Sequence, residues 1–233
     1  MTVLIEISRY SLITEKLPRE LLLLQGTGCK YKQCTFCDYH NDVSDDPFLI
    51  NKPVLKKVSG QFGVLDIINS GSCFELDEQT ISLIYKTALM KKIHTIWFEA
   101  HYLYRHELQN FRKKFPKIKL KFRSGIETFN PTLRKYLNKG ISQDVTFKDV
   151  ARYFDGVCLL VGLEKQTKSD IMLDIYLAIK YFEYFSVNIF TTNSTSITPN
   201  QELIKVFLED IYPLIKHLPK AEILLTNTDL GVG

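Results

Sequence analysis

From Leu21 onward the chain alternates between short runs of contiguous apolar residues and longer stretches in which apolar residues return every three or four positions. The short runs predict buried strands at 21–25, 64–68, 94–98, 118–124, 156–161, 186–191 and 221–226, and the periodic stretches predict helices between them. A helix over 78–91 follows the N-cap Asp77 and turns Ile81, Ile84, Tyr85 and Ala88 to one side. Another, over 168–184, directs Ile171, Ile175, Ile179 and Phe182 inward. Shorter helices are expected at 53–59 and 104–114, from Asn130-Pro131 to a stop near Gly140, and from Thr198-Pro199 to a break or kink near Pro213. Strands that are apolar throughout, each followed by a helix, belong to a parallel sheet covered by helices. The fold class is therefore α/β, a partial (β/α)6 TIM-like barrel with a mostly parallel sheet and an added C-terminal strand. In this single domain, residues 1–20 are an N-terminal extension, 21–195 the core barrel and 196–233 a C-terminal helix and strand. Within the extension, Val3, Ile5 and Ile7 alternate with polar neighbours, which reads as an extended segment over 2–15.

Ligands of parallel α/β folds sit at the C-terminal ends of the strands. The polar residues of this chain collect there. The stretch from Gly26 to Tyr39 follows the first barrel strand, Asn69-Ser70-Gly71-Ser72 the second, Glu99 the third and Glu127 the fourth. Gly162-Leu163-Glu164 follows the fifth, Thr192-Asn193 the sixth and Asp229 the added strand.

A chain of 233 residues that is 45% apolar can bury a sizeable core. A net charge of +4 with 24% charged residues is ordinary and leaves no footprint of nucleic-acid binding. Lys113, Lys114, Lys117, Lys119 and Lys121 could touch phosphates or form a solvated helix end. Glu6 and Arg9 interrupt the first apolar stretch, no cleavage-site pattern follows, and no run approaches a membrane span, so neither a signal peptide nor a membrane partner is expected. Five cysteines, three of them in one loop, do not make a secreted disulfide framework and point to a reducing cytoplasm.

Those three, Cys29, Cys34 and Cys37, can present three thiolates to one inorganic centre, either an iron–sulfur cluster or zinc. A closed zinc site takes four protein ligands and would need His40, Cys73 or Cys158 to complete it. A 4Fe-4S cluster held by three cysteines leaves one iron free to bind something else. Gly26 and Gly28 let the backbone turn tightly and approach a ligand. His94, His101, His106 and His217 have no metal-site spacing and read as ordinary surface or core residues.

With its Cys-x4-Cys-x2-Cys pattern the loop resembles the cluster motif of the radical S-adenosylmethionine (SAM) superfamily, in which SAM chelates the fourth iron. The first gap is one residue longer than the usual Cys-x3-Cys-x2-Cys. Phe36 matches the aromatic position that packs beside the SAM adenine, and Ser70-Gly71-Ser72 stands where the superfamily holds the SAM amino group on a Gly-Gly-Glu-type turn. That Ser-Gly-Ser turn is similar to the branch containing the elongator catalytic subunit and archaeal deazaguanine-modifying enzymes. Ile126-Glu127-Thr128, Leu133-Arg134-Lys135 and Asn138-Lys139-Gly140 resemble the same branch. The resemblance implies Arg123 for the SAM carboxylate, Glu127 for the ribose hydroxyls and Gly162 for close passage of the adenine. Either Arg123 or Glu127 could instead belong to a surface ion pair.

What the resemblance implies is a radical enzyme that uses a 4Fe-4S cluster, SAM and an electron donor such as flavodoxin or ferredoxin. Members that modify tRNA or protein usually carry an extra recognition domain or a second cluster. No further cysteine group occurs here, so a small-molecule substrate is expected and a nucleic acid is not. The compact barrel, the x4 gap and the Ser-Gly-Ser turn are similar to those of the small queuine lyases, which release 7-aminomethyl-7-deazaguanine from queuine for queuosine salvage. Such a base offers N–H donors to buried carboxylates, for which Glu99, Glu164 and Asp229 are candidates, with Asn193 for the cyclopentene diol. Two other classes stay open: a radical SAM modifier of tRNA or protein that grips its target through the Lys113–Lys121 face, and a non-catalytic zinc protein.

Overall fold

The computed structural model describes residues 7–233 and carries one sheet whose strands are neighbours in chain order. β1 (Tyr10–Ile13) pairs antiparallel with β2 (Arg19–Leu24). Every later pair is parallel, through β3 (Val64–Asn69), β4 (Thr95–Glu99), β5 (Lys119–Glu127), β6 (Gly156–Val161), β7 (Tyr184–Ile189) and β8 (Ala221–Leu224). This is the expected partial barrel, with β8 as the added C-terminal strand. The antiparallel pairing of β1 was not foreseen, and Val3 and Ile5 of the expected extended segment lie outside the described residues.

One face of the strands is apolar and packs on helices. Leu22, Leu24, Ile67, Phe98, Val157 and Val187 share a core with Ile81, Ile84 and Ala88 of the helix Glu78–Met90 and with Ile171 and Ala178 of the helix Lys168–Tyr181. The helices run in order α1 (Pro47–Lys56), α2 (Glu78–Met90), α3 (Leu108–Arg112), α4 (Pro131–Tyr136), α5 (Phe147–Ala151), α6 (Lys168–Tyr181) and α7 (Gln201–Val206). In α6 the inward row is Ile171, Asp174, Ile175 and Ala178, while Ile179, expected inside, is 37% exposed because it lies one step off that stripe. The stretch 104–114 is not one helix but a turn at Tyr102–Tyr104 followed by the short α3. Pro213 does not end the last helix. With no N–H to return to Glu209, the chain widens into a π turn over Phe207–Ile211 and continues through Tyr212–Ile215. Among the described residues no helix is long and apolar enough to cross a membrane.

The inner face carries charge at its N-terminal end. Arg19 donates to Asp66 at 2.8 Å and, through both terminal nitrogens, to Glu222 at 2.7 and 2.6 Å. Tyr184 donates to Glu222 at 2.7 Å, and Arg123 lies 2.8 Å from the second Asp66 oxygen. All five side chains are buried. Burial pushes the Asp66 carboxyl up, but Arg123 and Arg19 outweigh it and hold it below the usual carboxylate range. This ionic layer closes the barrel from below.

Candidate active site

β2 delivers the chain into the cysteine loop at the open end of the barrel. A Cβ on Gly26 would stand 2.8 Å from the Glu75 carbonyl oxygen, so the loop lies flush against the turn after β3. Thr27 N–H donates to that oxygen at 2.7 Å. The Glu75 carboxylate is the N3 member of a capping box on the turn Cys73–Glu75, accepting from Ser72 N–H at 2.6 Å. Its other oxygen accepts from Lys30 N–H at 2.8 Å and from the Tyr104 hydroxyl at 3.1 Å. A Cβ on Gly71 would collide with this carboxylate and come within 3.2 Å of Cys29 Cα. On the far side, Asn138 donates to Gln33 O at 2.8 Å, Asn193 to Phe36 O at 2.7 Å, and Ser194 donates twice to Asp38 at 2.9 Å. The loop is thereby held from β3, α4 and β7 together.

Cys29, Cys34 and Cys37 are free thiols, each partly buried. Burial pushes Cys34 up and Cys37 to about 11, with Lys139 opposing both. Lys32 N–H donates to Cys29 Sγ at 3.3 Å. Among the described residues no three His, Cys, Asp or Glu side chains converge on a single ion. A tetrahedral zinc site would draw its sulfurs within about 4 Å of one another. Cys73, one proposed fourth zinc ligand, is instead sealed in the main core, and Cys158 is buried on the inner face of β6. Three partly buried thiols in one loop are the donor set that an iron–sulfur cluster takes.

Beside them stands a cation that the sequence did not single out. β5 has an irregularity between Gly125 and Glu127, and Glu127, at φ +65°, accepts from Lys139 Nζ at 2.8 Å. Lys139 also sits 5.4 Å from the Phe36 ring centre. Burial pulls the Lys139 ammonium down, but Glu127 and Cys34 outweigh it and hold it above its ordinary value. Phe36 belongs to a second apolar cluster with Leu133, Leu137, Leu160 and Phe190, against which Cys34 and Cys37 pack. A cleft of about 590 Å³ opens beside Cys29, lined by Thr27, His40, Phe74, Glu75 and Tyr104, a size suited to a cofactor or small substrate.

The other expected residues divide into two groups. Glu99 faces the barrel interior, 3.6 Å from Arg123, and burial raises its carboxyl above the usual range against the pull of Arg123. Arg123 itself is buried and paired with Asp66, so the surface ion pair foreseen as an alternative is a deep one. Ser70 donates to Asp42 O at 2.6 Å. Gly162, at φ +96°, is packed against Ile204 and engages Gln166 and Asn200. The structure does not bring Glu164, Asn193 and Asp229 to Glu99. Glu164 is exposed and accepts from Tyr136, Asn193 is occupied by Phe36 and Thr195, and Asp229 caps the turn at Leu225 and Thr226. His101 is an inward-facing histidine held by Lys139 O at 2.8 Å and Leu103 N at 3.1 Å. Glu75 had a legible signal, the Ser72-x-x-Glu75 capping box, whereas Lys139 had only its place in a motif.

The chain is similar over its full length to a queuine lyase from Clostridium spiroforme bound to SAM and queuine. Identity is 43%, the match covers 98% of this chain and 100% of that one, and the TM-score is 0.93. It shares the fold of Streptococcus suis SuiB bound to S-adenosylmethionine at 15% identity and a TM-score of 0.53, over 90% of this chain and 47% of that one. No family model and no curated protein matches the chain.

Proposed function

We propose, because the chain belongs to the queuine lyase family of radical SAM enzymes, that it cleaves queuine and releases 7-aminomethyl-7-deazaguanine. The full-length likeness to the Clostridium spiroforme enzyme carries this reading. Cys29, Cys34 and Cys37 would hold a 4Fe-4S cluster. When bound, the cluster and SAM supply one-electron cleavage of SAM and a carbon radical that removes a hydrogen atom from the substrate. The electron would come from an external donor such as flavodoxin or ferredoxin.

The chain's own residues bind, orient and exclude water. Phe36 and its apolar cluster offer a face for the adenine, with Gly162 near the end of the neighbouring strand. Ser70 and Gly71 keep the turn after β3 small enough for the backbone to reach the SAM amino group. For the SAM carboxylate, Lys139 is the better candidate than Arg123. Its ammonium is at the loop with Glu127 as its side-chain partner, whereas Arg123 is committed to Asp66 deeper in the barrel. Glu127 could then accept from the ribose hydroxyls. Glu99 is the interior carboxylate open enough to take N–H groups of the base, its side chain being 34% exposed.

Anaerobic incubation of reconstituted, reduced protein with SAM and queuine tests this directly. Both 5′-deoxyadenosine and 7-aminomethyl-7-deazaguanine are expected, and both should vanish in Cys34→Ala. Formation of 5′-deoxyadenosine without the base product would overturn the substrate. Absence of both from a protein with an intact cluster would overturn the reaction.

A further inference from the structure

On β7 the side chains alternate between two faces. Phe185, Val187 and Ile189 join the core under the helices. Tyr184 turns the other way, its ring 5.4 Å from that of Trp97 and its hydroxyl on Glu222. Asn188, four residues on, is therefore on the inner face. Its register neighbours are Leu160 on β6 and Leu224 on β8, which offer no side-chain hydrogen bond. Leu160 and Phe190 both belong to the cluster around Phe36, so Asn188 lies between the ionic layer below and the cysteine loop above. Its Oδ1 is buried and accepts no hydrogen bond among the described residues, although the residue as a whole is only partly buried.

An orphaned amide oxygen between two leucines is destabilising where it stands; an apolar side chain of the same size would serve the fold better. The charged groups beneath it have partners in one another, so none of them explains it. We propose that Asn188 is a specificity-determining residue for the substrate, its Oδ1 accepting a ring N–H of the bound deazaguanine base from the side of the barrel formed by β7, while Glu99 approaches from β4. This rests on the queuine reading above. A primary amide has a donor beside its acceptor and can pair with an N–H that lies next to a ring nitrogen or carbonyl. The free base has such an N–H where a nucleoside carries its sugar, so the same contact would favour the free base.

The test uses the reconstituted protein with SAM, its cluster left oxidised so that nothing turns over, and measures equilibrium binding of queuine and of SAM to wild type, Asn188→Leu and Asn188→Ser. In Asn188→Leu the queuine affinity should fall about tenfold or more, SAM affinity should be unchanged and the melting temperature should hold or rise. Asn188→Ser, which keeps a small acceptor, should lose less. Unchanged queuine affinity in Asn188→Leu, or a loss of SAM affinity instead, would overturn the assignment, as would a lowered melting temperature with queuine binding intact. If wild type binds SAM but not queuine, it is the substrate reading that fails.

Discussion

Glu75 Oε1 lies 2.8 Å from the backbone nitrogen of Lys30, the residue after Cys29. The second oxygen of the same carboxylate caps the turn that begins at Ser72. One side chain thus couples the turn after β3 to the start of the cysteine loop, and a charged acceptor makes both bonds stronger than a neutral one would. Glu75→Ala should leave the barrel folded but reduce iron and sulfide bound per chain after reconstitution to a minor fraction of wild type. Glu75→Gln, which keeps one acceptor oxygen, should retain more. Equal iron content in Glu75→Ala and wild type would remove this carboxylate from the support of the loop.

Gly71 is the neighbour that makes this coupling sterically possible. Its missing side chain is the space that the Glu75 carboxylate fills, and Cys29 Cα is next to it. Gly71→Ala is expected to displace the carboxylate rather than unfold the chain. The expected result is a far-ultraviolet circular dichroism spectrum like wild type, with SAM affinity weakened about tenfold or more, equivalent to the loss of one charge-assisted hydrogen bond.

Much of this architecture could be read from the sequence because strands buried on both faces of a parallel sheet are written as apolar runs. Gly156 to Val161 is such a run, and its bounds match the expectation residue for residue. The cysteines were equally legible, since three thiols in nine residues have few other uses. Arg19 and Glu20 were not. They lengthen β2 backwards into the N-terminal extension expected over 1–20, because the partners that let Arg19 be buried, Asp66 and Glu222, are 47 and 203 residues away. Asn188 sits in an apolar run with nothing local to mark it. Glu164, Asn193 and Asp229 were placed correctly at strand ends, but which way a loop side chain turns depends on partners such as Phe36 O, which no spacing encodes.

His101 gives a pH dependence with a defined sign. Burial, with Lys139 adding to it, lowers the imidazole pKa to about 3, and because Nδ1 accepts from Leu103 N–H, the proton sits on Nε2 and is donated to Lys139 O. The unfolded chain takes up this proton near pH 6.5. Since the folded pKa is the lower one, the contribution is complete above pH 6.5 and is lost as the pH falls towards 3, with a slope of up to about 1.4 kcal/mol per pH unit. The stability difference between wild type and His101→Gln should therefore shrink on acidification from pH 7 to pH 5. Anaerobic denaturant melts at several pH values measure it, and a constant difference would contradict the neutral, buried assignment.

Lys139 and Glu127 allow a structural role to be separated from a binding one. Lys139→Gln leaves Glu127, about 10% exposed, without its cation and should lower stability by several kcal/mol. Adding Glu127→Gln should restore much of that stability by removing the unpaired charge. It should not restore SAM affinity, because the cation we propose for the SAM carboxylate is still missing. Recovery of both in the double variant would mean that Lys139 serves only to neutralise Glu127.

The ionic layer below the site makes a complementary case. Asp66 is fully enclosed and shared by Arg19 and Arg123, and Arg123 is the nearer of the two to Glu99. Arg123→Met removes one of two cations from a buried carboxylate and should cost about 3–5 kcal/mol in unfolding free energy. Among the described residues Glu99 would lose its only cation within 4 Å, and its carboxyl, already raised by burial, should move further up. Removing Asp66 as well, in Arg123→Met with Asp66→Leu, leaves Arg19 paired to Glu222 through two hydrogen bonds, and should recover stability relative to the single variant. A double-mutant cycle on denaturant melts reads this coupling. Additive losses would show that Arg123 and Asp66 are neighbours without being partners, and that the barrel does not depend on this pair for its closed end.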